Sequence, residues 1–111
     1  MNASTKRKPN RRPTHPGAIL REDVLPALKM SQTEFADLLR VSRVTVSELL
    51  HEKRSLSAEM AVRIGTLLKT TPESWLRMQV SVDLWEVAQQ PAKLAAVKPL
   101  PASRLADLVA A

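Results

Sequence analysis

Between Pro16 and Gln90 the apolar residues return every three or four positions, and no stretch alternates apolar and polar residues long enough to build a strand. That period restricts the middle of the chain to α-helices sharing one apolar core. Aromatics make up 3% of the chain (Phe35, Trp75 and Trp85) and glycine occurs twice, whereas turn-rich β folds use more of both. With 111 residues, 44% hydrophobic and 25% charged, the chain has the size and balance of one small globular domain. The absence of cysteine excludes disulfides, thiolate chemistry and cysteine-ligated zinc, and fits a reducing compartment. No apolar run approaches the roughly 18 residues of a membrane span. Nor does an apolar stretch follow the basic N-terminus, as a signal peptide requires. A soluble, cytoplasmic protein is expected.

Prolines punctuate both ends. Pro9, Pro13 and Pro16 make residues 1–14 an extended, flexible tail, and Pro91, Pro99 and Pro101 break up a flexible Pro/Ala-rich tail over residues 91–111. A weakly amphipathic stretch near Arg104–Val109 could form a short helix within the second tail. The domain between, residues 15–90, is expected to hold five helices. The first runs from about Pro16 to Leu25, with Ile19, Leu20 and Val24 facing inward and Pro26 ending or kinking it. The second opens at Ser31-Gln32-Thr33-Glu34, which has capping-box spacing, and carries Phe35, Leu38 and Leu39 as its apolar stripe. The third follows Ser42 and runs to about Leu50, turning Val46, Leu49 and Leu50 inward. The fourth follows Ser57 and carries Met60, Ala61, Ile64, Leu67 and Leu68. The fifth has Thr71 as cap and Pro72 at its first position, and reaches about Gln90.

The fifth helix is apolar on two sides. Trp75, Met78, Val82 and Trp85 form one stripe and Leu76, Val80, Leu84 and Val87 another, so the helix needs two partners. One can be the domain body and the other a second copy of the chain, with Trp75, Met78, Val82 and Trp85 expected to carry dimerisation. The other reading places both stripes in a monomer core covered by the C-terminal tail.

The net charge of +6 is uneven. Residues 1–14 carry Lys6, Arg7, Lys8, Arg11 and Arg12 and no acid, residues 15–90 are nearly balanced, and residues 91–111 hold Lys93, Lys98 and Arg104 against Asp107. A basic arm of this kind can follow phosphates and release counterions, or can simply solubilise.

From Gln32 to Leu50 two short helices are joined by the tight link Arg40-Val41-Ser42. This segment resembles the helix-turn-helix unit of the Cro/C1 (XRE-like) repressors, with Ala36 at the helix crossing, Val41 plugging the turn, and Val46 and Leu49 anchoring the second helix. The resemblance implies an all-α, five-helix, lambda-repressor-like DNA-binding domain. Those repressors usually have glycine where Arg40 stands, because the chain tends to adopt positive φ there. A non-glycine residue at that position costs about 1 kcal/mol. Arg40 can also favour the helix C-terminus electrostatically and reach a phosphate.

The outer face of the third helix would supply the reader, entering the roughly 12 Å major groove. Arg43 can pair with guanine O6 and N7, while Val44 or the Thr45 methyl can touch a thymine methyl. Ser47 and the backbone at Ser31–Thr33 suit phosphate, as do Lys53 and Arg54 just beyond the helix, and Gln32, Thr33 and the capping Ser42 count with the expected DNA-binding residues. The competing reading is that these are ordinary solvated residues of a helical bundle.

The likeness extends further. His15-Pro16-Gly17 before Leu20-Arg21-Glu22 is similar to the opening of the HigA-type antitoxins. Arg54-Ser55-Leu56-Ser57, Met60-Ala61 with Arg63-Ile64, Thr71-Pro72-Glu73-Ser74-Trp75-Leu76 and Gln79 resemble later blocks of the same family. The resemblance implies an antitoxin that binds and neutralises a RelE/HigB-like ribonuclease toxin and, as a homodimer, represses its own operon through operator DNA. Two other readings stand beside it: a stand-alone XRE-family transcriptional regulator with no toxin partner, and an interaction adaptor that has lost DNA binding.

Catalysis is not expected. His15 and His51 lie far apart, His51-Glu52-Lys53-Arg54 lacks the second histidine of a zinc-protease helix, and Gly17 and Gly65 cannot form a phosphate loop. No residue is marked as an activated nucleophile, so no catalytic residue, metal or cofactor is called for. His15 is better suited to fixing the entry to the first helix.

Overall fold

The computed structural model describes residues 11–110, which form seven helices and no strand. The first, α1 (residues 16–28), is helical throughout but changes pitch: α-helix over Pro16–Ile19, π-helix over Leu20–Val24 and α-helix again over Leu25–Leu28. His15 caps it, its Nδ1 accepting from the Gly17 N–H at 2.9 Å, and Pro16 occupies the first turn, where a missing N–H is harmless. Pro26 neither ends nor stops this helix. A proline ring collides with the carbonyl four residues back and offers no N–H. The widened turn just before it, closed by the Leu25 N–H on the Leu20 carbonyl, absorbs that clash, and α1 continues to Leu28.

Four helices follow, each with the cap read from the sequence: α2 (Gln32–Leu39), α3 (Arg43–Leu50), α4 (Ala58–Leu68) and α5 (Pro72–Ala88). Ser31, Ser42, Ser57 and Thr71 accept from the backbone N–H three residues on, at 3.0, 3.0, 3.1 and 3.2 Å. Arg40 closes α2 in the left-handed conformation at φ 62°, its N–H directed to the Ala36 and Asp37 carbonyls. The strain expected of a glycine-free turn is therefore present, at about 1 kcal/mol.

Phe35, Leu20, Leu49, Leu50, Ile64 and Val46 are the large side chains at the centre of the core, with Ala36 at the α2–α3 crossing and Val41 packed against the cluster from the turn. Each large one contributes roughly 1.5–3 kcal/mol by leaving water. Leu38 departs from its expected place. It is 48% exposed, because the crossing at Ala36 turns the α2 apolar stripe onto Phe35 and Leu39 and leaves Leu38 on the flank.

The two stripes of α5 are also sorted. Trp75 and Val82 are buried in the chain's own body, Met78 packs against it, and Trp85 is half-buried. The stripe expected to meet a second copy thus faces the chain's own core, where Gln79 and the first helix need it. Of the second stripe Leu76 packs against the core as well, and Val80, Leu84 and Val87 form the side turned outward, about half exposed or more. Beyond α5 come two helices, α6 (Pro91–Leu94) and α7 (Ala102–Ala110). The stretch near Arg104 is therefore helical, and every residue from 89 to 108 is exposed.

The expectation of a flexible N-terminal tail over residues 1–14 falls largely outside the described residues. Within them Arg12 is not part of a free arm. Its guanidinium pairs with Glu52 at 2.7 Å and Glu86 at 3.1 Å, fastening the chain to α5 just before α1 begins.

Candidate nucleic-acid interface

Three contacts mount the α2–α3 pair on the rest of the molecule. At the first, α1 crosses the end of α3 so closely that a Cβ on Gly17 would overlap the Leu49 carbonyl. At the second, the Arg21 guanidinium donates to the Leu50 carbonyl at 2.6 Å, capping the C-terminus of α3. At the third, Arg63 of α4 donates to the Leu39 carbonyl at 2.8 Å and caps α2. Gln79, buried on α5, fixes the loop after α3: its Oε1 accepts from the Leu56 N–H at 2.8 Å and its Nε2 donates to Asp83 at 2.9 Å. The apolar sides of α2 and α3 are thus spent on the core, and the C-terminal carbonyls of both are capped by arginines of neighbouring helices.

What they turn outward is the face read from the sequence. Arg43 is exposed and Val44 is 65% exposed, both on the first turn of α3. A shallow concavity joins that turn to the start of α2, lined by Gln32, Thr33, Arg43, Val44, Ser47 and Glu48. A guanidinium, an aliphatic group and small polar groups gathered on one exposed surface can meet the base edges and phosphates of a major groove.

Not every candidate joins that surface freely. The Ser42 hydroxyl is occupied by the Thr45 N–H and lies 2.9 Å from the Thr45 hydroxyl, so both side chains serve the cap first. Ser47 and Thr45 are half-buried. Arg40 stands exposed in the turn and Lys53 stands exposed past α3. Arg54 is engaged, donating to Glu48 from Nε at 3.1 Å and Nη2 at 2.7 Å. Trp75, Met78, Val82 and Trp85 lie apart from this face, on α5.

The sequence reading gave no role to Arg21, Arg63, Gln79 or Glu52. Glu52 is a hub, accepting from Arg12 and, at 3.3 Å, from Arg21, and the Arg12 hydrogen bond holds its carboxyl below the usual range. The signal for these residues was faint. Each acts across 23 or more positions on another element, where no periodic rule reaches. Among the described residues no group of His, Cys, Asp or Glu is placed to hold a metal, and no helix is long and apolar enough to cross a membrane.

His15 makes this scaffold sensitive to acid. Burial lowers the imidazole below its ordinary 6.5, with Arg12 acting in the same direction and Glu52, Glu86 and Asp83 opposing. Protonation would also remove the Nδ1 acceptor that caps α1. The unfolded chain therefore takes up the proton first, and stability is lost as pH falls through 6.5 toward the lower folded value. Glu52, lowered from 4.5, acts with the same sign further down. Urea midpoints should be flat above about pH 7 and fall on acidification. His15→Asn, which keeps a capping acceptor but does not titrate, should flatten the upper part of that slope.

Residues 20–76 match the helix-turn-helix family. The chain is 46% identical over 77 residues to the uncharacterized HTH-type transcriptional regulator YbaQ of Escherichia coli (strain K12), covering 69% of this chain and 68% of that one. It is 37% identical over 97 residues to antitoxin HigA-1 of Vibrio cholerae, covering 85% and 90%. Among solved structures, antitoxin GraA in complex with its operator superposes with a TM-score of 0.76 at 38% identity, covering 86% of this chain and 99% of that one. The chain belongs to the XRE-type helix-turn-helix family, among the relatives of the HigA and GraA antitoxins.

Proposed function

We propose that this chain is the antitoxin and autorepressor of a type II toxin–antitoxin module. On this reading it binds operator DNA as a dimer and neutralises a RelE/HigB-like ribonuclease toxin in the cytoplasm. The observation that carries the DNA-binding half is the exposed first turn of α3, with Arg43 and Val44 open to solvent, in a fold that superposes on an antitoxin solved with its operator. Arg43, Val44 and Thr45 read bases, while Gln32, Thr33, Arg40, Ser42, Ser47 and Lys53 meet phosphate. Arg54 reaches phosphate from its pair with Glu48, which also neutralises a carboxylate that would otherwise face the duplex. The unit is residues 15–90, and its second copy meets the outward face of α5. Two copies would present their α3 helices to half-sites about 34 Å apart or a multiple of that. The toxin-binding half is supported by the likeness to HigA-1 over most of both chains.

The similarity to YbaQ favours a second reading, a stand-alone transcriptional regulator. Co-expression with the product of the adjacent open reading frame, followed by copurification and gel shift on the chain's own upstream DNA, separates them. The antitoxin reading predicts a stable complex and a shifted operator. A shift without a copurifying neighbour would indicate the stand-alone regulator, and neither result would indicate an adaptor.

A further inference from the structure

We infer that residues 91–108 form an exchanged arm that packs on α5 of a second copy of this chain, beside the Leu76, Val80, Leu84 and Val87 stripe. The inference rests on the dimer proposed above and names what completes its interface. A stable interface buries about 800 Å² on each partner. Roughly 450–500 Å² of that is apolar, and the outward stripe of α5 falls short: Val80, Leu84 and Val87 are 48–66% exposed and offer on the order of 300 Å². The segment after α5 carries the missing area. Leu94, Val97, Leu100, Leu105 and Leu108 are 40–75% exposed and add on the order of 500 Å².

Within one chain residues 89–108 all stand exposed. Soluble monomers rarely leave more than a few hundred Å² of contiguous apolar surface open. The charges also match across copies. Asp83 and Glu86 are engaged within the chain by Gln79 and Arg12, so the charges left beside the stripe are Glu73 and Arg77, and the arm offers Arg104 and Asp107 to them. Glu73 and Arg77 border the stripe at Leu76 and Val80, where Arg104 and Asp107 of α7 have partners of opposite sign.

The test is sedimentation velocity over a concentration series, with wild type, a chain ending at residue 90, and the Leu105→Asp/Leu108→Asp variant. Because Leu105 and Leu108 stand exposed, the variant should keep the helical spectrum of the body. Wild type should be a dimer, and both altered chains should dissociate with a constant raised at least about 100-fold. A wild-type monomer would overturn the dimer and the arm together. A wild-type dimer with the altered chains equally tight would overturn the arm alone. The same holds if the altered chains stay dimeric and lose only copurification with the neighbouring product, since the arm would then face the toxin. Because the chain has no native cysteine, a Leu84→Cys/Leu105→Cys chain gives a second readout. Oxidation should yield covalent dimers, and an intrachain bridge would contradict exchange.

Discussion

Gly17→Ala should lower stability by upwards of about 3 kcal/mol and weaken DNA binding in whatever fraction stays folded. The added Cβ would occupy the position of the Leu49 carbonyl and crowd the His15 ring, and neither neighbour can yield cheaply. One is backbone in the last turn of α3, and the other is the buried cap of α1. Relief requires α1 to lift from α3, which also pulls Arg21 from the Leu50 carbonyl. Thermal melts would show the loss. For a domain of this length 1 kcal/mol moves Tm by roughly 4–8 °C, so a drop of 12 °C or more is expected. A Tm within a few degrees of wild type would mean that the α1–α3 approach is not tight.

Trp75→Ala should cost about 3–5 kcal/mol. The indole is nearly fully buried between α4 and α5, and its Nε1 donates to the Thr70 hydroxyl at 2.8 Å. Truncation leaves a large cavity and loosens the helix that carries Gln79, the residue holding the loop after α3. Trp75→Phe separates the two contributions: it keeps most of the packing and removes the hydrogen bond, and should cost about 1–2 kcal/mol. Equilibrium unfolding at one fixed protein concentration checks both, since stability depends on concentration if the chain dimerises. Equal effects of Ala and Phe would place the stabilisation in the hydrogen bond rather than in the ring.

The parts legible in the sequence were those with local causes. Ser31, Ser42, Ser57 and Thr71 mark helix starts because each side chain satisfies an N–H three residues away, and all four caps are present. The same holds for the α2–turn–α3 unit, whose small residue, plug and anchors lie within one short stretch. Reading failed where tertiary context outweighs local rules. Pro26 read as an end or a kink, and which of the two applies depends on a wider turn that no propensity signals. Leu38 fits the helical period but loses its place to the crossing geometry. On α5 two stripes of similar width gave no way to tell core from partner face, and the tryptophan side went inward. The Glu48–Arg54 pair spans a helix end and a turn, so it falls outside the helical i, i+4 rule. His15 was legible as an entry device, but its hydrogen bond to the Gly17 N–H becomes visible only with the fold.

The central claim is that the first turn of α3 reads duplex DNA. Its most direct measurement is a pair of anisotropy titrations, on the chain's own upstream duplex and on a scrambled duplex, with wild type, Arg43→Ala and Val44→Glu. Arg43→Ala should weaken upstream binding by about 1–3 kcal/mol with little loss on the scrambled duplex. Val44→Glu should abolish specific binding while the melting temperature stays near that of wild type. Upstream binding left intact by both substitutions in folded protein would contradict the account, because the surface that enters the groove would then lie elsewhere.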